Sequence, residues 1–466
     1  MADHAHSATH VPIELLRKYD RPGPRYTSYP TAPEWSEAVG REAYVKALEA
    51  AGAQTDTPLS VYCHIPFCRK RCFYCGCNTC ILNEREAVGA YLAALGRETE
   101  RVGAHLGGRR TVNQLHFGGG TPTYLTVDEL GNVLGSLGSV FRYADDCEKS
   151  IEIDPRVTTP EQLSFLAGQG FNRVSLGVQD FNEAVQTAVG RIQPYRLVAE
   201  TVAHCRALEF KGLNFDLIYG LPKQTVASFA ETIRLALSLR PDRVAVYSFA
   251  YLPQRMANQR AIKPDDLPDT EVKYGLFATA VEMFTGAGYR QIGMDHFALP
   301  EDELARAQAD GKLHRNFMGY TVKTSPDMIG LGMSSIGYLN DSFFQNHSTL
   351  AAYHAAMDGE AFAVYRGLVL SRDDLIRQYV IAGLMCNFRL GYRALRDRFG
   401  ADYAEYFGAE HSRLREFFDD GLVEEGEGEL RVTPLGRTFV RNIAMTFDAY
   451  LGAQPSGERP QFSRTI

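Results

Sequence analysis

The chain has 466 residues, 45% of them hydrophobic, and a formal net charge of −7, which is enough apolar material for a packed core and enough length for two or more domains. So small an acidic excess gives no basic footprint for nucleic acid, and no run approaches roughly 18 consecutive apolar residues, so neither a nucleic-acid partner nor a membrane span is expected. The opening MADHAHSATH lacks the charged-then-apolar pattern of a signal peptide, and cytoplasmic residence is the expectation.

Residues 1–57 pass through RPGPRYTSYPTAPEW, where four prolines forbid a long regular element. The segment reads as an extended arm, either a plain surface wrap or a lid whose Arg25, Tyr26 and Tyr29 meet a ligand. Next comes LSVYCHIPFCRKRCFYCGCNTC, residues 59–80, with six of the nine cysteines. LSVYCHI has the β-branched and aromatic content of a buried strand, and Cys68, Cys72 and Cys75 follow it as C-x3-C-x2-C. A structural zinc site needs four ligands, commonly two separated C-x2-C pairs, and zinc is the lesser alternative here. Cysteines this close bridge poorly, and a long chain without a secretion signal is not a disulfide scaffold. The solitary Cys147, Cys205 and Cys386 suit inert burial. Three clustered thiolates suit three irons of a [4Fe-4S] cube, leaving the fourth iron open to another ligand.

Five more strand-like runs follow: VNQLHF (112–117), SIEID (150–154), RVSLGV (173–178), LNFDLIY (213–219) and RVAVYSF (243–249). Between the first two strands, Val88, Tyr91, Leu92, Leu95, Val102 and Leu106 form one apolar helix stripe, and Phe229, Ile233, Ala236 and Leu237 repeat the pattern before the sixth strand. Regular β-α alternation predicts parallel strands with helical crossovers, closed as a complete or partial barrel. Function in such barrels gathers at the C-terminal strand ends. There stand the cysteines, the run Gly118, Gly119, Gly120, Thr121, Pro122, then Glu152 and Asp154, then Gln179 and Asp180, with Asp216 inside strand five. GGGTP lacks the endings of phosphate- and dinucleotide-binding loops; three glycines let backbone approach a ligand or merely permit a turn. Taken singly, Glu152 and Arg191 read equally well as exposed charges. Beyond residue 250 a helix is expected near 268–287, and GMDHF (293–297), HRNFMGYT (314–321) and LGMSSIG (331–337) suit loops across a barrel mouth. From about 366 the chain reads as helical, with a helix and two-stranded wing too acidic for phosphate contact.

C-x3-C-x2-C after a first strand resembles the signature of the radical S-adenosylmethionine (SAM) superfamily, and GGGTP resembles its glycine-rich element for the amino end of SAM. PRYTSYPTA (24–32), VYCHIPFCRKRCFYCGCN (61–78), LHFGGGTPTYL (115–125), SIEIDPR (150–156), GVQDF (177–181), DLIYGLPKQT (216–225), GMDHFA (293–298), LHRNFMGYT (313–321) and CNFRL (386–390) narrow it further. Together they resemble the oxygen-independent coproporphyrinogen III oxidases nearly end to end. The resemblance implies an α/β fold: a radical SAM partial (β/α)6 TIM-like barrel (58–300), an N-terminal arm or lid (1–57), loops over the barrel mouth (301–365), and a mostly helical C-terminal domain with a winged element (366–466). It implies an oxidoreductase of haem biosynthesis that turns two propionates of coproporphyrinogen III into vinyls, using a [4Fe-4S] cluster, two SAM per turnover and an unidentified electron donor and acceptor. A monomer is expected.

By similarity, Cys68, Cys72 and Cys75 ligate the cluster, and Tyr62, Gly119, Glu152 and Ile336 contact the principal SAM. Tyr74, Gly120, Thr121, Gln179, Arg191, Asp216 and Ala250 match positions around a second SAM. Cys77 completes C-x3-C-x2-C-x-C without an iron bond, either as a residue of the reaction or as a buried structural thiol. Cys63 and Cys80 depart from the pattern, which raises alternative ligation or sensitivity to oxidation. Arg25 and Arg315 are candidates for the propionates, because a guanidinium pairs bidentately with a carboxylate. A related class of haem-binding chaperones is the alternative; those relatives usually carry an aromatic residue where Cys77 stands and lack the PRYTSYPT arm.

Overall fold

The structure, a computed structural model, describes residues 11–82, 84–453 and 462–465. All six expected strands form: β1 (Leu59–Ile65), β2 (Thr111–Gly119), β3 (Arg142–Ile153), β4 (Arg173–Gln179), β5 (Gly212–Tyr219) and β6 (Arg243–Ser248). They pair in sequence order, all parallel. Each crossover is helical, as parallel pairing demands, and three of the helices start on capping boxes, at Thr126, Thr159 and Thr225. The expected stripe on helix Arg85–His105 is buried at Val88, Tyr91, Leu95 and Val102, and this face packs the helix on the outside of the sheet.

The inner face of the sheet is polar. In β4, Val174, Leu176 and Val178 are buried toward the helices while Arg173 and Ser175 line a cavity of about 330 Å³. The same period of two puts Gln114 and His116, then Glu148, Ser150 and Glu152, then Asn214 and Asp216 on the cavity side. An ordinary barrel of this class fills its lumen with branched apolar side chains; this one keeps a polar chamber.

Residues past 290 extend the sheet beyond what local sequence predicts. β7 (Arg290–Ile292) and β8 (His296–Ala298) add one edge, β8 lying antiparallel to β6. β9 (His314–Asn316) and β10 (Gly319–Thr321) form a separate hairpin. β11 (Asp327–Leu331) lies parallel beside β1, and β12 (Ile336–Leu339), β13 (Ser342–Asn346) and β14 (Val364–Val369) continue antiparallel. Among the described residues this makes one sheet of twelve strands. The run 331–337, expected as a mouth loop, instead ends β11, turns, and starts β12. HRNFMGYT and GMDHF both border the cavity, through Asn316–Tyr320 and through His296.

The arm is less extended than its prolines suggest, since it contains helices Ile13–Tyr19 and Arg41–Gly52. At the other end, helix Arg372–Asn387 leads into β15 (Arg389–Gly391), which joins the expected wing, β16 (Val423–Gly426) and β17 (Glu429–Val432), as a third strand. No helix among the described residues is long and apolar enough to cross a membrane.

Candidate active site

The loop after β1 is held by backbone. The Cys80 N–H donates to Pro66 O at 2.7 Å and the Cys68 N–H to Cys80 O at 3.2 Å, closing residues 68–79 into one loop. From across the barrel, the Asn258 side-chain amide donates to the carbonyls of Cys72, Phe73 and Cys75 at 3.1, 3.0 and 2.9 Å. Gln259 reaches the Tyr74 and Ala250 carbonyls at 3.3 and 3.0 Å. Carbonyls turned inward by a tight loop need donors, and these two side chains supply them. Cys63 is fully buried in β1, where burial pushes its thiol well up. Cys80 thus serves the loop through its backbone.

The three thiols of the motif differ in surroundings. Burial pushes Cys68 up to about 11, against the Thr121 hydroxyl 3.3 Å from its sulfur. The Cys77 side chain and N–H point at the Cys75 sulfur, the N–H from 3.4 Å, and pull that thiol down to about 6. The Cys77 thiol, facing the Cys75 sulfur, is held well above its ordinary value. Around Cys72 the sulfur receives Arg156 Nη2 at 3.7 Å and Arg191 Nη1 at 3.8 Å, both also bound to Asp154. Two guanidiniums beside one sulfur suit an anionic thiolate or cluster. Among the described residues no three His, Cys, Asp or Glu side chains converge to hold a single ion.

One strand over, the glycine run is shaped by what presses on it. A Cβ on Gly120 would stand 2.7 Å from the Pro66 carbonyl, and on Gly119, at φ +114°, 2.5 Å from the His64 ring. The Gly119 N–H donates to Glu152 Oε2 at 3.1 Å, and His116 lies 3.4 Å from Oε1. Burial works against ionisation of Glu152, but His116 and that amide outweigh it and hold the carboxyl below its usual range. Tyr62 stacks on His116 and bonds His64 at 3.0 Å. Tyr62 also faces Gly330 across β1 and β11, and Ile336 lies against Gly330. Tyr62, Gly119 and Glu152 therefore border one another beside the cysteine loop, and the Ile336 backbone lies behind Gly330, the strand partner of Tyr62.

The radical SAM superfamily profile matches residues 62–236, and a HemN C-terminal domain profile matches 370–439. Oxygen-independent coproporphyrinogen III oxidase of Salmonella typhimurium is 45% identical over 454 residues, 97% of this chain and 98% of that one. This chain belongs to the oxygen-independent coproporphyrinogen III oxidase family. The Pseudomonas aeruginosa enzyme of the same name is 44% identical over the same shares. The solved coproporphyrinogen III oxidase of Escherichia coli, described as a radical SAM enzyme, superposes with TM-score 0.90 at 42% identity, covering 95% of this chain and 100% of that one. A [4Fe-4S] cluster and SAM are the cofactors of this superfamily, and the sulfur triad and its guanidiniums suit them.

For a coproporphyrinogen III oxidase, the remaining predicted residues fall in two places. Tyr74 lies in the cysteine loop and Gly120, Thr121 and Arg191 border it, Arg191 being buried with Nη2 on Gly177 O at 2.6 Å and Nε unpartnered. Gln179, at φ +68°, ends β4 near Gly177, and Ala250 follows β6 under Gln259. Asp216 instead lies inside the lumen, taking Ser175 Oγ at 3.1 Å and Asn214 Nδ2 at 2.9 Å; burial, then the charge of Glu152, pushes it up to about 6. Of the arm residues, Arg25 lines the cavity, whereas Tyr26 and Tyr29 face away and bond Asp448 and the Ala449 N–H. Sequence reasoning passed over Asn258, His64 and His116. The histidines had a signal, alternating with polar neighbours along β1 and β2; Asn258 had none.

Proposed function

We propose that the chain decarboxylates coproporphyrinogen III without oxygen, turning two propionate side chains into vinyls and releasing two CO2 to give protoporphyrinogen IX. The observation that carries this reading is the end-to-end correspondence with curated oxidases, in a chain whose cysteine loop adjoins a lumen lined by Arg25 and Arg315. A reduced cluster with SAM supplies a 5′-deoxyadenosyl radical, which can take the hydrogen atom that no general base can remove from an unactivated carbon. Cys68, Cys72 and Cys75 would hold the cluster, with Arg156 and Arg191 offsetting its charge. Glu152, ionised beside the Gly119 amide, suits the ammonium of SAM, and Tyr62 and Ile336 would fix its orientation. Tyr74, Gly120, Thr121, Gln179, Arg191, Asp216 and Ala250 would border a second SAM. Two SAM per turnover follow from two propionates, each of which must lose its own hydrogen atom.

Once that atom is gone, loss of CO2 and of one electron leaves the vinyl group. A guanidinium clamped on the departing carboxylate would oppose its conversion to neutral CO2. Arg25 and Arg315 therefore serve propionates that stay, and an external acceptor takes the electron. A monomer is proposed, and a reducing cytoplasm suits the thiols. The division into arm (1–57), barrel (58–300), mouth segment (301–365) and C-terminal domain (366–466) is proposed with it.

The test is anaerobic: reconstitute the cluster, add reductant, SAM and coproporphyrinogen III, and follow 5′-deoxyadenosine and protoporphyrin. Both should appear and both should vanish in Cys68→Ala. Deoxyadenosine without protoporphyrin would discard the substrate, and tight haem binding with neither product would favour a chaperone.

A further inference from the structure

The run GMDHF belongs to neither the cysteine loop nor its glycine neighbour, yet the fold spends several contacts on it. Gly293 sits at φ +57°, and a Cβ there would fall 1.8 Å from the Tyr320 hydroxyl, which accepts the Met294 N–H at 3.3 Å. The Asp295 carbonyl accepts the Val246 N–H at 2.7 Å, fixing this residue against β6. Both carboxylate oxygens of buried Asp295 are then used: Oδ1 faces His296 Nδ1 at 2.7 Å, and Oδ2 takes Arg25 Nη1 at 3.2 Å. The His296 ring is held edge-on between Tyr247 and Tyr320, with centroids 5.8 and 5.0 Å away.

Two features separate this from a satisfied core histidine. His296 lines the same cavity as Arg25 and Arg315, and with Nδ1 committed to Asp295, its Nε2 has no hydrogen-bond partner among the described residues. A carboxylate accepts the Nδ1–H, so this ring presents Nε2–H outward when both of its nitrogens carry protons. Arg315 makes no ion pair among the described residues, stacks over Tyr320 at 4.9 Å, and has a buried, unpartnered Nε. Tyr320 thus carries Arg315 and His296 together on one wall. With the imidazole protonated, Arg25, Asp295 and His296 bear one net positive charge, suited to an anionic ligand.

We propose that His296 binds a propionate carboxylate of the tetrapyrrole through Nε2–H, with Asp295 as the positioning residue that couples this contact to Arg25 of the arm. This rests on the substrate reading above and adds a third carboxylate-binding group to its two arginines. The arm residue and the imidazole share one carboxylate, so they grip the substrate jointly.

The test measures KM for coproporphyrinogen III and kcat for the cluster-loaded wild type, His296→Ala and His296→Gln, with the cluster spectrum as the check on folding. Loss of a charge-assisted hydrogen bond predicts a KM raised about ten- to a hundredfold in both variants near neutral pH, with a smaller change in kcat. Arg25 and Arg315 are present in all three proteins, so the difference in KM isolates His296. Unchanged KM in His296→Ala, or a loss confined to kcat in both variants, overturns the proposal while the substrate reading stands. A wild type that cleaves SAM without making protoporphyrin removes both.

Discussion

Asp216 is a carboxylate held where its charge is unwelcome. Keeping its carboxyl near 6 instead of 3.8 costs the folded state at most about 3 kcal/mol once it is ionised. Because the folded value is raised, the unfolded chain releases its proton first; the penalty is absent below about pH 4, grows toward pH 6 and is full above it. Asp216→Asn should therefore raise Tm at pH 8 without added SAM, and the gain should shrink as the pH falls to 4. Equal gains at both pH values would show that burial of the charge is not the cause. At this scale the sequence exposes residue types, not partners. The cysteines announce themselves by spacing, but the clamp by Asn258 joins positions more than 180 residues apart and leaves no local mark. Tyr26 and Tyr29 show the converse: they look ready for a ligand, and their hydroxyls turn to Asp448 and the Ala449 N–H.

Strands and loops were more legible, because period-two burial is written along each strand. Q-x-H in β2, E-x-S-x-E in β3, R-x-S in β4 and N-x-D in β5 place polar groups on the lumen side, so even the chamber can be read in hindsight from alternation. The glycine run gains its meaning only from its neighbour. Gly120→Ala would drive a Cβ to 2.7 Å from backbone atoms of Pro66, pushing on the base of the cysteine loop. It should lower iron retained per chain after anaerobic desalting. Gly135→Ala, in helix Val127–Val140 with nothing within 4 Å of the added Cβ, should instead leave iron unchanged and stabilise by up to about 1 kcal/mol. Equal iron in both variants would contradict the packing argument. Helix Arg41–Gly52 carries a buried stripe at Tyr44, Ala47, Leu48 and Ala51, whereas the prolines just before it point to an extended arm. β7, β8, β9 and β10 each have three residues, too few for a periodic signal.

Over the whole molecule, residues 19–24 of the arm and residues 464–465 are tied together beside the cavity. Buried Arg441 donates to the carbonyls of Gly23, Pro24, Arg464 and Thr465 at 2.5 to 3.1 Å, and the Asn442 amide takes Tyr19 O at 2.8 Å. Arg25, which lines the lumen, follows Pro24 directly. Removing the guanidinium orphans four carbonyls, a loss on the order of several kcal/mol. Arg441→Leu should thus lower Tm, open the Arg25–Tyr26 bond to trypsin, and raise KM for coproporphyrinogen III. Resistance to trypsin equal to the wild type would mean the arm holds without this anchor. The contacts with Tyr19, Gly23 and Pro24 span more than 400 residues, and no local pattern encodes them. The parallel pairing of β11 with β1 is hidden for the same reason, whereas the consecutive β-α units between residues 59 and 248 could be read in order.

The central claim is that the lumen brings a propionate of coproporphyrinogen III against the radical made beside the cysteine loop. Turnover of substrate deuterated at the propionate carbons next to the ring, followed by mass analysis of the deoxyadenosine, tests it most directly. The account predicts one deuterium in each 5′-deoxyadenosine and two such molecules for each protoporphyrinogen IX formed. Unlabelled deoxyadenosine accompanying labelled substrate into product would contradict it.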